Sequence, residues 1–525
     1  LVDGKELGYQ YPIQDIQVER AINRIATARI TILMEFGSGE DLTFQRSEEG
    51  YFNPGKSIEI KLGYHTKEDS VFKGVIVNLG VNANQNYNQL IIESTEKAVK
   101  MTQGRKSRYF KNKSDEAVMA AILKENGIPA ALDATEYEHQ QLIQYHATDW
   151  DFIRMRAEAN GLLVYTEDGK VQVKKPSVDQ APTLEVAYGK DIIRLKGNVE
   201  ARYQMPTIEA YSWSMGDQKM VSNHAQEPTE NPQGNLTGKA LNKALGIQTF
   251  AYYNSASLER ANLKALADSH LLHRRLARIS GEVEIFGTAI PKLNTMLSIK
   301  GFGNKMDGHA LITRVQHQVA EGLWSTTIGF GLSPKLLANQ LAVHEPPAQG
   351  LLPAVCGLQI GKVLKINEDP QNECRIQVDI PAIPGGVGIW ARLANFYATN
   401  KKGTFFIPEV DDEVVVGFLN DDPRFPIILG SLYSSKISTP YPLEKGNPIK
   451  AIVTKNDLKI ELNDKDKIIT VRTPNGNKAT FSDKAKSVVF EDEWGNIISM
   501  EKSGITIKSQ KAIKLEADTK IKLPS

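Results

Sequence analysis

The side chains able to do chemistry are present, but few stand at a spacing that would use them. Of nine histidines, His270 and His273 lie three apart on a segment with helical periodicity (258–279), beside Arg274, Arg275 and Arg278. Two imidazoles one turn apart could share a metal ion, yet no acidic ligand accompanies them and the HExxH pattern is absent. A solvated or intersubunit basic face is the expectation. The carboxylate pairs Asp411–Asp412 and Asp421–Asp422 could serve as general acid and base. Both lie between apolar strand-like runs, where Asp is favoured because its side chain bonds nearby backbone. Cys356 and Cys374, the only thiols, form no CxxC pattern and are expected to be buried and inert. No GxSxG, P-loop or GxGxxG opening a helix occurs, and GFGNKMDG (301–308) sits between strand-like runs as a turn would. The sequence therefore predicts no catalytic residue, no metal, no cofactor and no enzyme.

Composition narrows the remaining classes. A chain of 525 residues predicts three or four domains at roughly 150 residues each. With 41% hydrophobic and 24% charged residues it is globular rather than disordered. Sixty-three Lys and Arg balance 62 Asp and Glu, so no net field draws nucleic acid or an anionic membrane. No apolar run approaches the ~18 residues that cross a bilayer. The opening LVDGKELGYQ has no signal-peptide pattern, which predicts assembly in the cytoplasm; lacking an initiator Met, it is expected to follow a few further residues.

The elements that must position any site are mainly β. ARITILMEF (28–36), SIEIKLGYH (57–65), VFKGVIVNLGV (71–81) and NQLIIEST (88–95) are Ile- and Val-rich runs separated by turn formers, predicting a small antiparallel barrel or sandwich over 1–95. An α/β insert follows over 96–194. SDEAVMAAILKENG (114–127) has Ser114 as cap and Gly127 as stop, and ATDWDFIRMRAEANG (147–161) starts at a Thr or Asp cap. LLVYTEDGKVQVKK (162–175) reads as a hairpin turning at Asp168–Gly169. Strands resume over 195–340 around the 258–279 helix, with 222–246 expected as a surface loop. Prolines and Gly350 place a boundary near 345. Residues 346–437 hold five short strands, as an OB-fold barrel does. A linker (438–450) leads to a last segment, 451–525.

That last segment carries a repeat. Phe481, Val489, Ile497, Ile505, Ile513 and Ile521 recur every eight residues. A companion column two places on includes Ile507 and Leu515, and residues i and i+2 of a strand share a face. One strand per repeat has no interior of its own, so the column predicts a core shared between copies. Three copies closing three walls would form a trimeric β-helix or β-prism, with Lys508, Lys511, Lys514, Lys520 and Lys522 on its wet outside. A plain meander with chance spacing is the alternative.

The stretch FIPEVDDEVVVGFLNDDPRFPIILGSLY (406–433) resembles the signature of VgrG-type spike proteins of contractile injection systems, found in type VI secretion and phage-tail-like particles. Its matching positions are Ile407, Pro408, Val410, Val414, Val416, Phe418, Pro423, Pro426, Gly430 and Tyr433. GKVLKI (361–366), GIWARLANFYA (388–398) and the 147–161 helix are similar to further parts of that family. ECRIQVDIP (373–381) departs from it, standing where many members have a basic, aromatic strand leading to a His–Trp pair. The resemblance implies a homotrimer: hub-like β-barrels (about 1–95 and 195–340) that adapt a sixfold tube to threefold symmetry, an OB-fold collar, and a β-helical needle. It implies an inner-tube (Hcp-like) protein, baseplate proteins, a PAAR-type tip protein and effector cargo as partners, and brief contact with a target membrane. Leu523, Pro524 and Ser525 are the expected tip-protein contact. A rival class is an OB-fold module for oligonucleotides or oligosaccharides, with Trp390, Phe396, Tyr397, Phe405 and Phe406 stacking on the ligand. The same aromatics suit a barrel core or a subunit contact, and the domain has no strong basic excess, so no nucleic-acid partner is expected.

Overall fold

The computed structural model describes residues 1–8, 11–34, 50–84, 88–255, 258–335, 337, 347–385 and 387–522. It is mainly β and divides into two compact units, 1–345 and 346–525.

The first unit is built on an eleven-stranded sheet. Apolar residues alternate along Thr27–Met34 and Asn88–Thr95, so Ile30, Ile32, Leu90 and Ile92 all turn inward. Strand Ile13–Ala21 pairs with Thr27–Met34 on one side and with Gly308–Ala320 on the other. The β-rich regions at the two ends of this unit thus share one sheet. Separate cores line it: Val18, Ile32, Phe72, Ile76 and Ile92 form one, and Val283, Leu297, Ile312, Ile328 and Phe330 the other.

The α/β insert has its own core, in which Met119, Ile122, Trp150 and Ile153 pack on Val164 and Val171 of the hairpin Leu163–Glu167 and Lys170–Lys174. Its helices start where local chemistry says they should. The Ser114 hydroxyl accepts from the Ala117 amide at 3.1 Å, and Thr148 accepts from Asp151 at 3.1 Å. Gly161 leaves the second helix at φ 69°, with Leu272 3.3 Å from where a β-carbon would stand, so any other residue would be both strained and crowded. Two buried first-turn acids are fully partnered. Asp115 accepts from Arg156 at 2.6 and 2.8 Å and from Asn160 at 2.8 Å. Asp149 accepts from Lys106 at 2.7 Å, Asn126 at 2.9 Å and Gln144 at 3.0 Å. Burial alone would raise both carboxyls, but these donors, led by Arg156 and Lys106, hold them below the usual range.

Residues 222–246, expected as a loop, are partly ordered into regular elements. Strand Lys219–His224 pairs with Ile208–Ser214, and Thr237 caps a helix, Gly238–Leu245, that ends on Gly246 in the left-handed region. Two turns of helix between Asn- and Gly-rich flanks leave too short a periodic signal to stand out. The sheet of Ile208–Ser214, Lys219–His224 and Phe250–Asn254 lies on helix Arg260–Leu276 through Ile208, Ala210, Leu263, Ala267 and Leu271.

The second unit opens with a closed five-stranded barrel: Gln359–Lys365, Ile376–Asp379, Ile389–Leu393, Pro426–Ser431 and Glu413–Phe418 in order around it. Val363, Ile376, Val378, Ala391, Val414, Val416 and Ile428 fill its interior. A seven-stranded antiparallel sheet follows, its strands neighbouring each other in chain order.

Candidate functional site

The seven strands are Ile449–Val453, Lys459–Asn463, Ile468–Arg472, Lys478–Ser482, Ser487–Glu491, Ile497–Glu501 and Gly504–Lys508. Their register sorts the side chains cleanly. Ile452 opposes Ile460, Leu462 opposes Ile469, and Ile469 opposes Phe481. Phe481 opposes Val488, Phe490 opposes Ile498, and Met500 opposes Ile505. Opposed residues share a face, so one side of the sheet is apolar across all seven strands apart from Lys450, which opposes Leu462. The other side is mixed, with Lys459, Glu461, Thr470, Arg472, Thr480 and Ser499 among Ile449, Val453, Ile468, Val489 and Ile497.

Among the described residues nothing covers the apolar side. Ile452, Ile460, Leu462, Ile469, Val471, Phe481, Phe490, Ile498, Met500, Ile505 and Ile507 are between 41% and 69% exposed. The face is hollowed into a groove of about 1010 Å³ lined by Ile460, Val471, Phe490, Ile498, Ile507 and Ile513. A contiguous apolar patch of this extent marks an interaction surface. At about 1.5–3 kcal/mol for full burial of each large apolar side chain, covering the remaining exposed half stabilises by roughly 1 kcal/mol per residue. Summed over the face, that is the scale of a whole domain's stability.

The register divides the eight-residue column between the two faces. Phe481, Ile505 and Ile507 lie on the apolar face, but Val489 opposes Thr480 and Ile497 opposes Glu491, which puts both on the other side. The connections explain why. Turns of five residues (454–458, 473–477, 492–496) alternate with turns of four (464–467, 483–486), so the strands do not recur every eight residues. A step of eight from Phe481 therefore lands on the wrong side of the next strand. Ile513, Leu515 and Ile521 lie beyond the last strand and are exposed, and Ile513 reaches the groove. Leu523, Pro524 and Ser525 lie outside the described residues. The doublets Ile460/Leu462, Ile469/Val471, Val488/Phe490 and Ile498/Met500 were missed; two apolar residues spaced by two in each strand were the available signal.

The turns are stapled by short polar side chains. Asp492 accepts from the amides of Trp494 at 3.0 Å and Asn496 at 2.8 Å, and from the Asn496 side chain at 2.7 Å. These bonds, the side-chain one foremost, hold its carboxyl below the usual range. Lys484 reaches Asp466 at 2.7 Å across neighbouring turns, and Lys455 ties the first turn to Glu409 of the barrel at 3.0 Å.

In the barrel, Val414 and Val416 are fully buried and Ile407 and Phe418 pack on the same core. Pro408 and Pro426 are also buried, and Pro423 is half-buried. Gly430 lies in strand Pro426–Ser431 beside a register shift at Val415/Val416. Val410 and Tyr433 are exposed. The aromatics of the rival class do not fill the core: Phe396, Tyr397, Phe405 and Phe406 are exposed.

The remaining chemical candidates resolve into structure. His270 and His273 are buried, not a solvated face, and burial pushes both imidazoles down to about 4. Arg275, fully buried, donates to Glu227 at 2.6 Å, and Arg278 donates to the Gln233 carbonyl at 2.9 Å. The 222–246 segment folds over that side of the helix, which its sequence spacing could not announce. Cys356 and Cys374 are exposed and unpaired, correcting the expectation of burial. Asp412 accepts from the Glu409 amide at 2.9 Å and Asp422 from the Arg424 amide at 2.9 Å, both as turn residues. Among the described residues, no three His, Cys, Asp or Glu side chains converge as a metal site requires.

Two parts of the chain match known families. Residues 1–321 match the family described as the Alg8 N-terminal domain, and residues 359–433 match the type VI secretion system/phage-baseplate injector OB domain. The chain is similar to the type VI secretion system spike protein VgrG5 of Pseudomonas aeruginosa, 23% identical over 376 residues, covering 64% of this chain and 46% of that protein. It is 44% identical over 390 residues to the type VI secretion system spike protein VgrG3 of Vibrio cholerae, covering 64% of this chain and 35% of that protein. It thus spans less than half the length of these curated relatives. The solved 43 kDa tail protein of prophage MuSo2 from Shewanella oneidensis overlays with a TM-score of 0.49 at 12% identity, over 64% of this chain and 97% of that one.

Proposed function

The chain, a VgrG-type spike protein, belongs to the family of the Alg8 N-terminal domain, and we propose that it forms the homotrimeric central spike of a contractile injection system. The observation that carries this is the uncovered apolar face of the seven-stranded sheet. A single sheet has one side too many for water, and the simplest cover is the same face of two further copies. Three such sheets closing on an axis give a dry shaft whose interior strands are all paired, hence a stiff one.

In this reading residues 1–345 are the hub, seated on a sixfold inner tube of Hcp-like subunits and held by baseplate proteins. Residues 346–437 are the collar, 438–450 the linker and 451–525 the needle. The work is mechanical. Sheath contraction supplies force, the shaft transmits it to a small area of target envelope, and no bond need be broken by this chain. The spike is assembled in the cytoplasm and leaves with the particle, carrying a PAAR-type tip protein on Leu523, Pro524 and Ser525 and effector cargo where present.

Native mass measurement tests the scheme. The expected species has three times the 58.2 kDa of one chain, and a monomer at micromolar concentration would sink it. Removing residues 523–525 should abolish capture of the tip protein while the trimer mass is unchanged; undiminished capture would refute that contact.

A further inference from the structure

The apolar surface continues beyond the sheet onto an arm of the barrel. Between strands Ile389–Leu393 and Glu413–Phe418 the chain makes a short hairpin, Ala398–Thr399 against Lys402–Gly403. The Thr404 amide donates to the Tyr397 carbonyl at 2.8 Å. Continued toward the barrel, the same register sets Phe396 opposite Phe405. The two residues are 96% and 86% exposed. A phenyl group left in water forgoes the free energy of burial, and two of them side by side on one hairpin form an anchor without a socket. The next residue, Phe406, lines the groove of the apolar sheet together with Ile452, Leu458 and Ile460. Arm and groove are therefore one continuous surface, although the chain's own groove does not take up its own Phe396 and Phe405.

Resting on the trimeric reading above, we propose that the arm is an intersubunit anchor: Phe396 and Phe405 of one copy fill the barrel-proximal end of the groove on a second copy, beside Ile452 and Ile460. A second copy is the occupant because it presents a matching apolar socket of about 1010 Å³ next to the surface that faces other copies. Nucleic acid fits less well. Residues 354–437 carry five Lys and three Arg against six Asp and four Glu, a net negative charge that repels a phosphate backbone. The anchor would lock the collar to the top of the shaft, so that force entering the barrels passes between copies through packed side chains rather than through the 438–450 linker alone.

The test places a photoreactive benzoylphenylalanine at position 405 of the full-length chain. This copy is co-expressed with a differently tagged copy that lacks the probe. Illumination should give a product carrying both tags, with the attachment mapping to residues 452–460 of the unprobed copy. A trimer by native mass that crosslinks only within the probed copy, or elsewhere on the partner, overturns the anchor and leaves the trimer standing. A monomer by native mass overturns both. Crosslinking of the trimer to added single-stranded oligo(dT) instead of the partner overturns the anchor in favour of nucleic-acid binding. As a second readout, F396A/F405A should keep the trimer mass but speed amide exchange at 452–460 about tenfold, and unchanged exchange would count against the proposal.

Discussion

Residues 1–345, the proposed hub, and residues 451–525, the proposed needle, are both β, yet they are stabilised in opposite ways. The first unit buries its apolar residues within one chain, in several cores, and also buries charged groups with their partners, such as Asp115 with Arg156. The needle strands are as regular as those of the hub, but none of the large residues on their apolar face is buried. Backbone pairing alone thus produces a sheet, whereas an interior requires a second surface. The contrast teaches that secondary structure and core are separable; on the trimeric reading proposed above, the needle gains its core only when copies meet.

The strongest way to break this comparison is to charge the needle face. Val488 and Val489 are neighbours on opposite sides of the sheet. Val488→Asp would set three carboxylates in a closed interior at several kcal/mol each, and the trimer should be lost by native mass. Val489→Asp faces water and should leave the trimer intact. Equal effects from the two would mean that the apolar side is not the contact surface. In both variants the hub should keep its hydrogen-exchange protection.

Acid should do the reverse. All nine histidines precede residue 345 and the needle has none. Burial depresses His270 and His273 to about 4 and His317 to about 3, from 6.5. A histidine whose folded pKa is lowered costs stability as pH falls below 6.5, because the unfolded chain takes up protons first. Each group is worth about 3 kcal/mol by pH 4. Exchange protection around Arg260–Leu276 and Gly308–Ala320 should therefore weaken between pH 6.5 and 4, while that of the needle strands holds. Weakening of both together would show that the units do not differ as described.

How far the sequence disclosed this contrast depends on how local each feature is. Ser114 and Thr148 were readable as caps because a cap involves three or four adjacent residues. The barrel was readable through Val414 and Val416, whose alternation needs no knowledge of partners. That residues 451–525 hold no second layer was readable too, since their strands are short and each offers only a few apolar residues to one side. The facing of Val489 and Ile497 was not, because register depends on turn length, and turns of five and four alternate. Nor was the burial of His270, whose ring packs edge-on against Tyr252, or of His273, beside Arg154, Glu158 and Leu332, since all these neighbours but Tyr252 are far off in sequence.

A smaller test isolates a single buried acid. Glu96, 1% exposed, accepts from the Gly169 amide at 2.9 Å, joining the end of strand Asn88–Thr95 to the insert hairpin. Its other oxygen has no partner, and burial raises the carboxyl to about 7 from its ordinary 4.5. Between those two values the folded state holds a proton that the unfolded state has lost, so stability falls as pH rises through the window. Glu96→Gln keeps the acceptor and removes the charge. It should stabilise the hub by at most ~3 kcal/mol at pH 8 and by nothing at pH 4. A pH-independent effect would show that Glu96 ionises in the folded chain as readily as in the unfolded one, so that burial does not raise its carboxyl.

The smallest expected effect concerns a single hydroxyl. Thr148→Ala removes the acceptor for the Asp151 amide, 3.1 Å away at the start of helix Asp149–Ala159. An N-cap of this kind is worth about 1 kcal/mol. That helix carries Trp150 and Ile153 into the insert core, so chemical denaturation of the hub should move by that amount. Its effect on the needle should be nil, since the insert belongs to the first unit and the sheet to the second. A loss of trimer from so local a change would mean that hub and needle fold as one cooperative body. The needle's dependence on other copies would then extend to the hub as well.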